Sequence, residues 1–428
     1  MQSEATNNDV ATRSPTIAWL SFAVGVFFGL RDTFTMVLVR GLDFPPHSGA
    51  MLRLAIELSL LVLAGVDLLR PLPPCITSAG PPSLIKRWVI LYIAFAGLSL
   101  FWSSAASVPA SFIYWSGTAC DVGIILLLLR RADPQQVCTS TLKGFVFSAC
   151  IVALMAWFMQ AQYDLRLGDE DYLNANTIAN LCAFGFFFAQ CLRRIDGNSW
   201  KAVQLLLAVT LLRSLSKSTI AAFAISTASL LIQDRSVTRR TKLVLTSAAL
   251  ILVMLFWGLF EAYYDIYTST GNQAQTLTGR TAIWVYVLNA LAEHPWIGHG
   301  FDSMWKTIPA FGAFEARHAE NEILQQLYAY GLAGAVMLAG VYGSFYQYAR
   351  RLGKHPLRLV LCNIVLFILI RGLAEAEPFD LLLPLWAIVV LTGLAFSVQP
   401  PALANSELAI RTPPDSLSPA FRPDCIIP

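Results

Sequence analysis

The sequence predicts an all-α polytopic membrane protein with about twelve transmembrane helices. Hydrophobic residues make up 56% of its 428 positions and charged residues only 13%. A soluble domain of this size carries roughly a quarter of its residues charged, so lipid must be the main solvent. Apolar runs near the ~20-residue length of a bilayer span recur along the chain. Lysine and arginine concentrate in every second connection, as the positive-inside rule requires of a multi-pass chain.

Candidate spans lie near 16–38, 48–69, 86–104, 108–130, 142–160, 174–193, 200–213, 217–233, 241–262, 321–349, 356–374 and 380–398. The polar segment 1–15 has no basic n-region leading to a small-residue cleavage site, so the first span is expected to stay as a helix. With that segment cytoplasmic, the inner connections carry Arg70, Lys86, Arg87, Arg130, Arg131, Lys143, Arg193, Arg194 and Lys201. They continue with Arg235, Arg239, Arg240, Lys242, Arg350, Arg351, Lys354 and Arg358. The outer connections hold only Arg40, Arg166, Arg213, Lys217, Arg280, Lys306, Arg317 and Arg371. An even number of spans puts both termini on the cytoplasmic side. The chain thus divides into a cytoplasmic segment 1–15, helices one to nine over 16–262, an outer loop 263–320, helices ten to twelve over 321–398, and a proline-rich tail 399–428 expected to be disordered.

Several function classes are disfavoured. A net charge of +3 is too small to imply nucleic acid. The eight cysteines show no metal-ligand spacing and read as packing residues. No internal repeat is visible, which disfavours inverted-repeat transporters. His294 and His299 lack a third ligand in sequence, so no metal and no cofactor is expected. Asp169, Glu170 and Asp171 read as an acidic loop rim. Arg53 and Glu57, four apart inside a span, are placed to pair on one helix face. Arg31 and Asp32 are left without a role.

The outer loop stands out because the other outer connections are short. After Gly279, the residues Ile283, Val287, Leu288 and Leu291 recur at helical spacing until Pro295. That pattern predicts an amphipathic helix on the membrane surface, with Arg280 at its N-terminal end, where phosphate is favoured. Asn174 and Asn176 stand at an outer helix start, suited equally to capping or to hydrogen-bonding a sugar.

The ordered pieces GRTAIW, EHPWIGHGFDSMW and HAENEILQQLYAYGLAG resemble the shared core of the O-antigen ligase and polymerase family. LNANTIANLCA and LLRSLSKSTIAAF resemble two upstream pieces of that core, and SKST with GFDSMW is most similar to the exopolysaccharide-polymerase branch. The resemblance covers residues 160–350. It implies a GT-C-like glycosyltransferase of the bacterial inner membrane. The enzyme would transfer or polymerise undecaprenyl-diphosphate-linked glycan at the periplasmic face. The acceptor would be a growing glycan, or lipid A core in the ligase and a protein in O-oligosaccharyltransferases. A flippase and a chain-length regulator are the expected pathway partners. A transporter or flippase is the alternative of another class.

Such a reaction needs a base for the acceptor hydroxyl and fixed cations for the departing diphosphate. The expected diphosphate ligands are Arg280, Lys217, Arg213 and Arg317, and the expected glycan ligands are Asn176 and Asn321. The family places histidine directly before the asparagine, whereas here Glu320 occupies that position and His318 lies two residues earlier. Either His318 or Glu320 serves as the base.

Overall fold

In the computed structural model, the described residues are 15–66, 83–162, 164–169, 172–197, 199–235, 237–269, 280–307 and 316–398. The expectations for the N-terminal segment, Arg70, Glu170, Asp171 and the tail fall outside them. The described residues form α-helices joined by turns, and no strand occurs among them.

Every predicted span is helical. The first six are α1 (Pro15–Met36), α2 (Pro46–Val66), α3 (Ser83–Leu98), α4 (Val108–Arg131), α5 (Pro134–Phe158) and α6 (Ala175–Asp196). Then come α7 (Lys201–Arg213), α8 (Lys217–Gln233), α9 (Arg239–Leu255) and α10 (Trp257–Ser269), followed by the loop helix α11 (Arg280–Leu291). The chain closes with α12 (Glu322–Arg351), α13 (Leu357–Arg371) and α14 (Leu385–Ser397). Among the described residues, seven helices are long and apolar enough to cross a membrane alone. The bent pair α9–α10, with 47° between its arms, makes an eighth if it crosses as one span.

Local chemistry sets several ends differently from the hydropathy. Helix α5 begins eight residues before its apolar run, because Asp133 accepts a hydrogen bond from the Gln136 backbone and Pro134 suits the first turn. Helix α14 begins at Leu385 rather than 380, since 372–384 forms a loop that carries functional groups. The predicted span 241–262 is broken at Phe256. Helix α11 forms where expected but is apolar on both sides. It buries Ile283, Val287 and Ala290 while exposing Val285 and Leu288.

The connections sort to two ends, as the charge pattern requires. Arg40, after α1, pairs with Asp169, before α6, at 3.3 Å. Ser103, after α3, donates to the Phe301 carbonyl at 2.6 Å. Asn176, at the start of α6, meets Ser216 before α8 and Glu375 after α13. At the opposite end Lys143 pairs with Asp196 at 2.7 Å and Arg194 with Asp234. Through its described residues, each predicted outer connection therefore meets at least one other. Close packing of α1 on α5 uses Gly25 and Gly144, where an added Cβ would lie 2.0 and 2.1 Å from a facing carbonyl oxygen.

The EHPWIGHGF segment explains the unusual start of α12. Gly331 breaks that helix with φ 61° and ψ −152°. The turn fills the break: the carbonyls of Pro295 and Trp296 accept from Leu332 and Ala333, while His299 and Gly300 donate to Tyr328 and Ala329. A Cβ on Gly298 or Gly331 would lie 2.5 Å from the other segment's backbone, so both positions exclude larger residues.

Candidate active site

The site is built by four pieces converging at the end where the predicted outer connections meet: the loop before α6, the α7–α8 turn, the start of α11 with 316–321, and the loop 372–384. Three of them carry a non-glycine residue at positive φ: Leu165 at 66°, Leu215 at 60° and Glu320 at 53°. Each costs about 1–2 kcal/mol and persists only because its surroundings fix it. Glu320 shows how. Trp284 of the GRTAIW piece donates to the Ala319 carbonyl at 3.0 Å, and Gln325 accepts from the Ala319 N–H at 2.9 Å. Asn321 caps α12 by accepting from Leu324 at 3.0 Å. The backbone is pinned on both sides of Glu320, which turns its carboxylate toward α11.

There Arg280 donates from Nε and Nη2 to Glu320 Oε2 at 3.0 and 2.9 Å. His318 Nδ1 accepts from the Glu320 N–H at 3.3 Å, and its Nε2 faces Glu375 Oε1 at 3.8 Å. Glu375 Oε2 accepts from Asn176 Nδ2 at 3.0 Å and lies 4.0 Å from Arg371. Asn176 Oδ1 in turn accepts from Arg166 at 2.7 Å and Ser216 at 2.8 Å. Ser216 also bonds Thr219, which accepts from Arg371 Nε at 3.3 Å. Lys217 sits beside this network with its Nζ 5.2 Å above the Tyr263 ring, near enough to feel the charges of both Arg166 and Arg280, with Asp164 opposing them. Burial and the neighbouring Glu320 charge push the Glu375 carboxyl up from its ordinary range, against the pull of Arg371, His318 and Arg280.

Most of the expected site residues meet here. Lys217, Arg280, His318, Glu320 and Asn176 lie in one network. Arg213 stands one step back, donating to the Leu165 carbonyl at 2.9 Å and so holding the loop that carries Arg166. Arg317 points elsewhere, its guanidinium 5.7 Å over the Trp305 ring. Asn321 is occupied as a cap and by donation to the Leu373 carbonyl at 3.1 Å, a positioning role rather than a free glycan ligand. Of the two upstream asparagines, Asn174 caps α6 through the Thr177 N–H and Asn176 faces the network.

Asp169 turns inward: its side chain is 7% exposed, accepts from the Tyr172 and Leu173 N–H groups, and pairs with Arg40. Arg53 and Glu57 pair as expected at 2.8 Å, and Arg31 finds Asp121 at 3.1 Å. Sequence reasoning missed Arg166, Arg371 and above all Glu375. The signal was the run of ionisable residues in RGLAEAEPFD between two apolar spans.

The fold also brings His318, Glu320 and Glu375 close enough, with ligand atoms within 4.8 Å of one another, to bind a metal ion. Their surroundings suit that role poorly. Glu320 Oε2 takes both Arg280 hydrogen bonds, Glu375 Oε2 takes that of Asn176, and Arg371 stands beside it.

Fold and site together define a multi-pass, all-α membrane protein with a network of cations, carboxylates and one histidine at one end. Residues 202–339 match the family model described as O-Antigen ligase. Over 370 residues, 85% of this chain and 84% of the relative, the sequence is 25% identical to an O-antigen ligase of Pseudomonas aeruginosa PAO1. Over 324 residues, 68% of this chain and 72% of the relative, it is 24% identical to the exopolysaccharide production protein ExoQ of Rhizobium meliloti strain 1021. The matched span contains Lys217, Arg280, His318 and Glu320, while Asn176 and Glu375 lie outside it.

Proposed function

We propose that the protein is a bacterial inner-membrane glycosyltransferase with twelve spans and both termini cytoplasmic. It transfers or polymerises undecaprenyl-diphosphate-linked glycan at the periplasmic face. The observation that carries this reading is the grouping at one end of the bundle of Lys217 with Arg166, which Asn176 links to Glu375, and with Arg280, which is tied to Glu320 beside His318. Periplasmic sugar donors must arrive already activated, so the site needs no nucleotide fold. The donor's diphosphate meets Lys217, Arg166 and Arg280, which stabilise the charge that builds as it leaves. Arginine grips two phosphate oxygens at once, while lysine supplies a point charge.

His318 is the base. Its Nε2–H faces Glu375 at 3.8 Å, and Nδ1, which accepts from the Glu320 N–H at rest, exchanges that contact for the attacking hydroxyl and takes its proton. That hydroxyl forms a bond to the anomeric carbon, and the lipid diphosphate departs with the electron pair of the broken bond. Arg213 positions the Arg166 loop, and Asn176 links Arg166, Ser216 and Glu375 into one unit. Arg317 stands over Trp305, and Asn321 fixes the backbone beside Glu320. The acceptor is a growing glycan in the leading reading. The similarity to an O-antigen ligase favours, as the second reading, transfer to a lipid acceptor such as lipid A core. A flippase that delivers the donor and a regulator of chain length would act beside it.

Purified protein supplied with a synthetic lipid-diphosphate oligosaccharide tests this. Release of lipid diphosphate with chain growth supports polymerisation, and release only when a lipid A core acceptor is added supports ligation. Absence of release with either acceptor overturns the glycosyltransferase reading. A chelator should leave turnover unchanged.

A further inference from the structure

Away from the site, a groove of about 820 Å³ runs between α8, α12 and α13. Its upper walls are apolar, with Ile323 and Leu369 at the end nearest the site. Its floor is made of Ala335, Ala339 and Gly343, spaced four apart on one face of α12. A Cβ added at Gly343 meets nothing within 4 Å, so the space beside it is open.

The other end is polar, lined by Arg350, Arg358, Gln233, Ser229 and Asn363. Arg358 donates to the Gly353 carbonyl at 2.9 Å and the Arg350 guanidinium lies 5.8 Å from the ring of Tyr346, another lining residue, so both cations face the groove at this end. Two polar atoms there lack a hydrogen-bond partner although buried: Nε of Arg358 and Oδ1 of Asn363, whose residue is 2% exposed. A groove wholly meant for hydrocarbon would have no use for them.

We propose that this groove binds a membrane phospholipid with an anionic headgroup, in the leaflet opposite the site. The phosphate sits between Arg350 and Arg358, and one acyl chain lies up the groove over the small-residue floor. Charge complementarity selects an anion at that end, since cations there meet the negative leaflet lipids. Length agrees: the eleven residues from Arg358 to Leu369 rise about 17 Å at 1.5 Å each, the reach of one acyl chain. A polyprenyl chain of the substrate kind is several times longer and would enter with its diphosphate at the opposite end. A partner helix would use the floor but leave the arginine pair unexplained.

The test is native mass spectrometry of the full chain released from detergent, with phosphatidylglycerol or phosphatidylcholine of identical acyl chains. Each arginine near an anionic headgroup contributes about fivefold, so the wild type should retain phosphatidylglycerol at least tenfold better. Arg350→Gln with Arg358→Gln should abolish that preference. Gly343→Trp should reduce retention of both lipids, and its open surroundings keep the fold intact, which an unchanged melting temperature would verify. No headgroup preference in the wild type, or a preference that survives the double substitution, overturns the proposal. So does equal displacement by free glycerol phosphate, which would mean a phosphate site without a lipid groove. Cross-linking of another protein's helix to α12 at Ala339 would likewise overturn it.

Discussion

Removing Arg280 separates two roles that the structure superimposes, the tether on Glu320 and the proposed grip on diphosphate. Arg280 gives both its short hydrogen bonds to one oxygen of Glu320, and the two side chains are 21% and 15% exposed. A partly screened charge pair of this kind contributes about 1–2 kcal/mol net to folding. A donor aimed at charge that develops in the transition state contributes more, about 2.7–4 kcal/mol, or roughly 100- to 1,000-fold in turnover. Arg280→Ala should therefore lose about two to three orders of magnitude in kcat while lowering the melting temperature only slightly. Glu320→Gln keeps the acceptor but frees the guanidinium from its carboxylate, so it should cost less than about tenfold. The double variant should match Arg280→Ala. The assay is lipid-diphosphate release at saturating donor, with thermal unfolding of each purified variant beside it. If Glu320→Gln loses as much as Arg280→Ala and the double variant loses no more, Arg280 serves only to hold Glu320, or Glu320 is itself the base. Either outcome refutes the assignment of roles.

His318→Ala should lower turnover by about 100- to 10,000-fold, whereas Glu375→Gln, which keeps the shape but weakens the orienting acceptor, should cost about 10- to 100-fold with KM unchanged; rates on the same donor decide it. Asp302 is pushed up to about 6 by burial, against the pull of its hydrogen bond from Ser111. Its folded form prefers the proton, so the stability it confers is present below about pH 4 and lost as pH rises to about 6. Asp302→Asn should thus melt higher than wild type at pH 7.5, by the equivalent of about 1–2 kcal/mol after discounting for partial exposure, and equally at pH 4. Gly331→Ala places a Cβ against the Trp296 carbonyl carbon in a conformation that already disfavours alanine, and should destabilise by about 3 kcal/mol or more, read as a loss of folded protein in detergent.

What the sequence revealed and what it hid divide along physical lines. Span positions were legible because apolar length and basic bias are properties of short windows, and each predicted segment is a helix. The pairing of Arg53 with Glu57 was legible because it lies within one helical turn. Glu375 was not. It reaches His318 and Asn176 only because α13 brings the far end of the chain back beside α6 and the α12 start, a contact between residues 199 positions apart in the case of Asn176. Arg166 was read as an unexplained outer cation for the same reason: its partner Asn176 is local, but the charge neighbour that gives it meaning, Lys217, comes from another helix. Arg317 and Asn321 differ from these in the opposite way. Their positions beside His318 and Glu320 suggested the site, but local chemistry claims them, through the Trp305 ring for one and the α12 cap for the other.

The backbone strain at Leu165, Leu215 and Glu320 ties these pieces together. In each segment an unfavourable φ turns the chain sharply next to a charged or polar group of the network: Arg166, Ser216 with Lys217, and Glu320 itself. Three separate segments would not carry such a cost without fixing something, and what they fix is the separation between like charges. Arg166 and Arg280 each repel Lys217, so flexible side chains on relaxed loops would drift apart. Asn176 counters this by holding Arg166 and Ser216 at once, while Glu320 holds Arg280 and Arg213 anchors the turn behind Leu165. A cluster of cations held together against its own repulsion is preorganised for an anion, which relieves it further than Glu320 and Asp164 do. By that reasoning the purified protein should melt at higher temperature when inorganic diphosphate is added, and Asn176→Leu should abolish the gain. A melting temperature that diphosphate leaves unmoved in the wild type would show that the cations are balanced already and that the repulsion argued here does not operate.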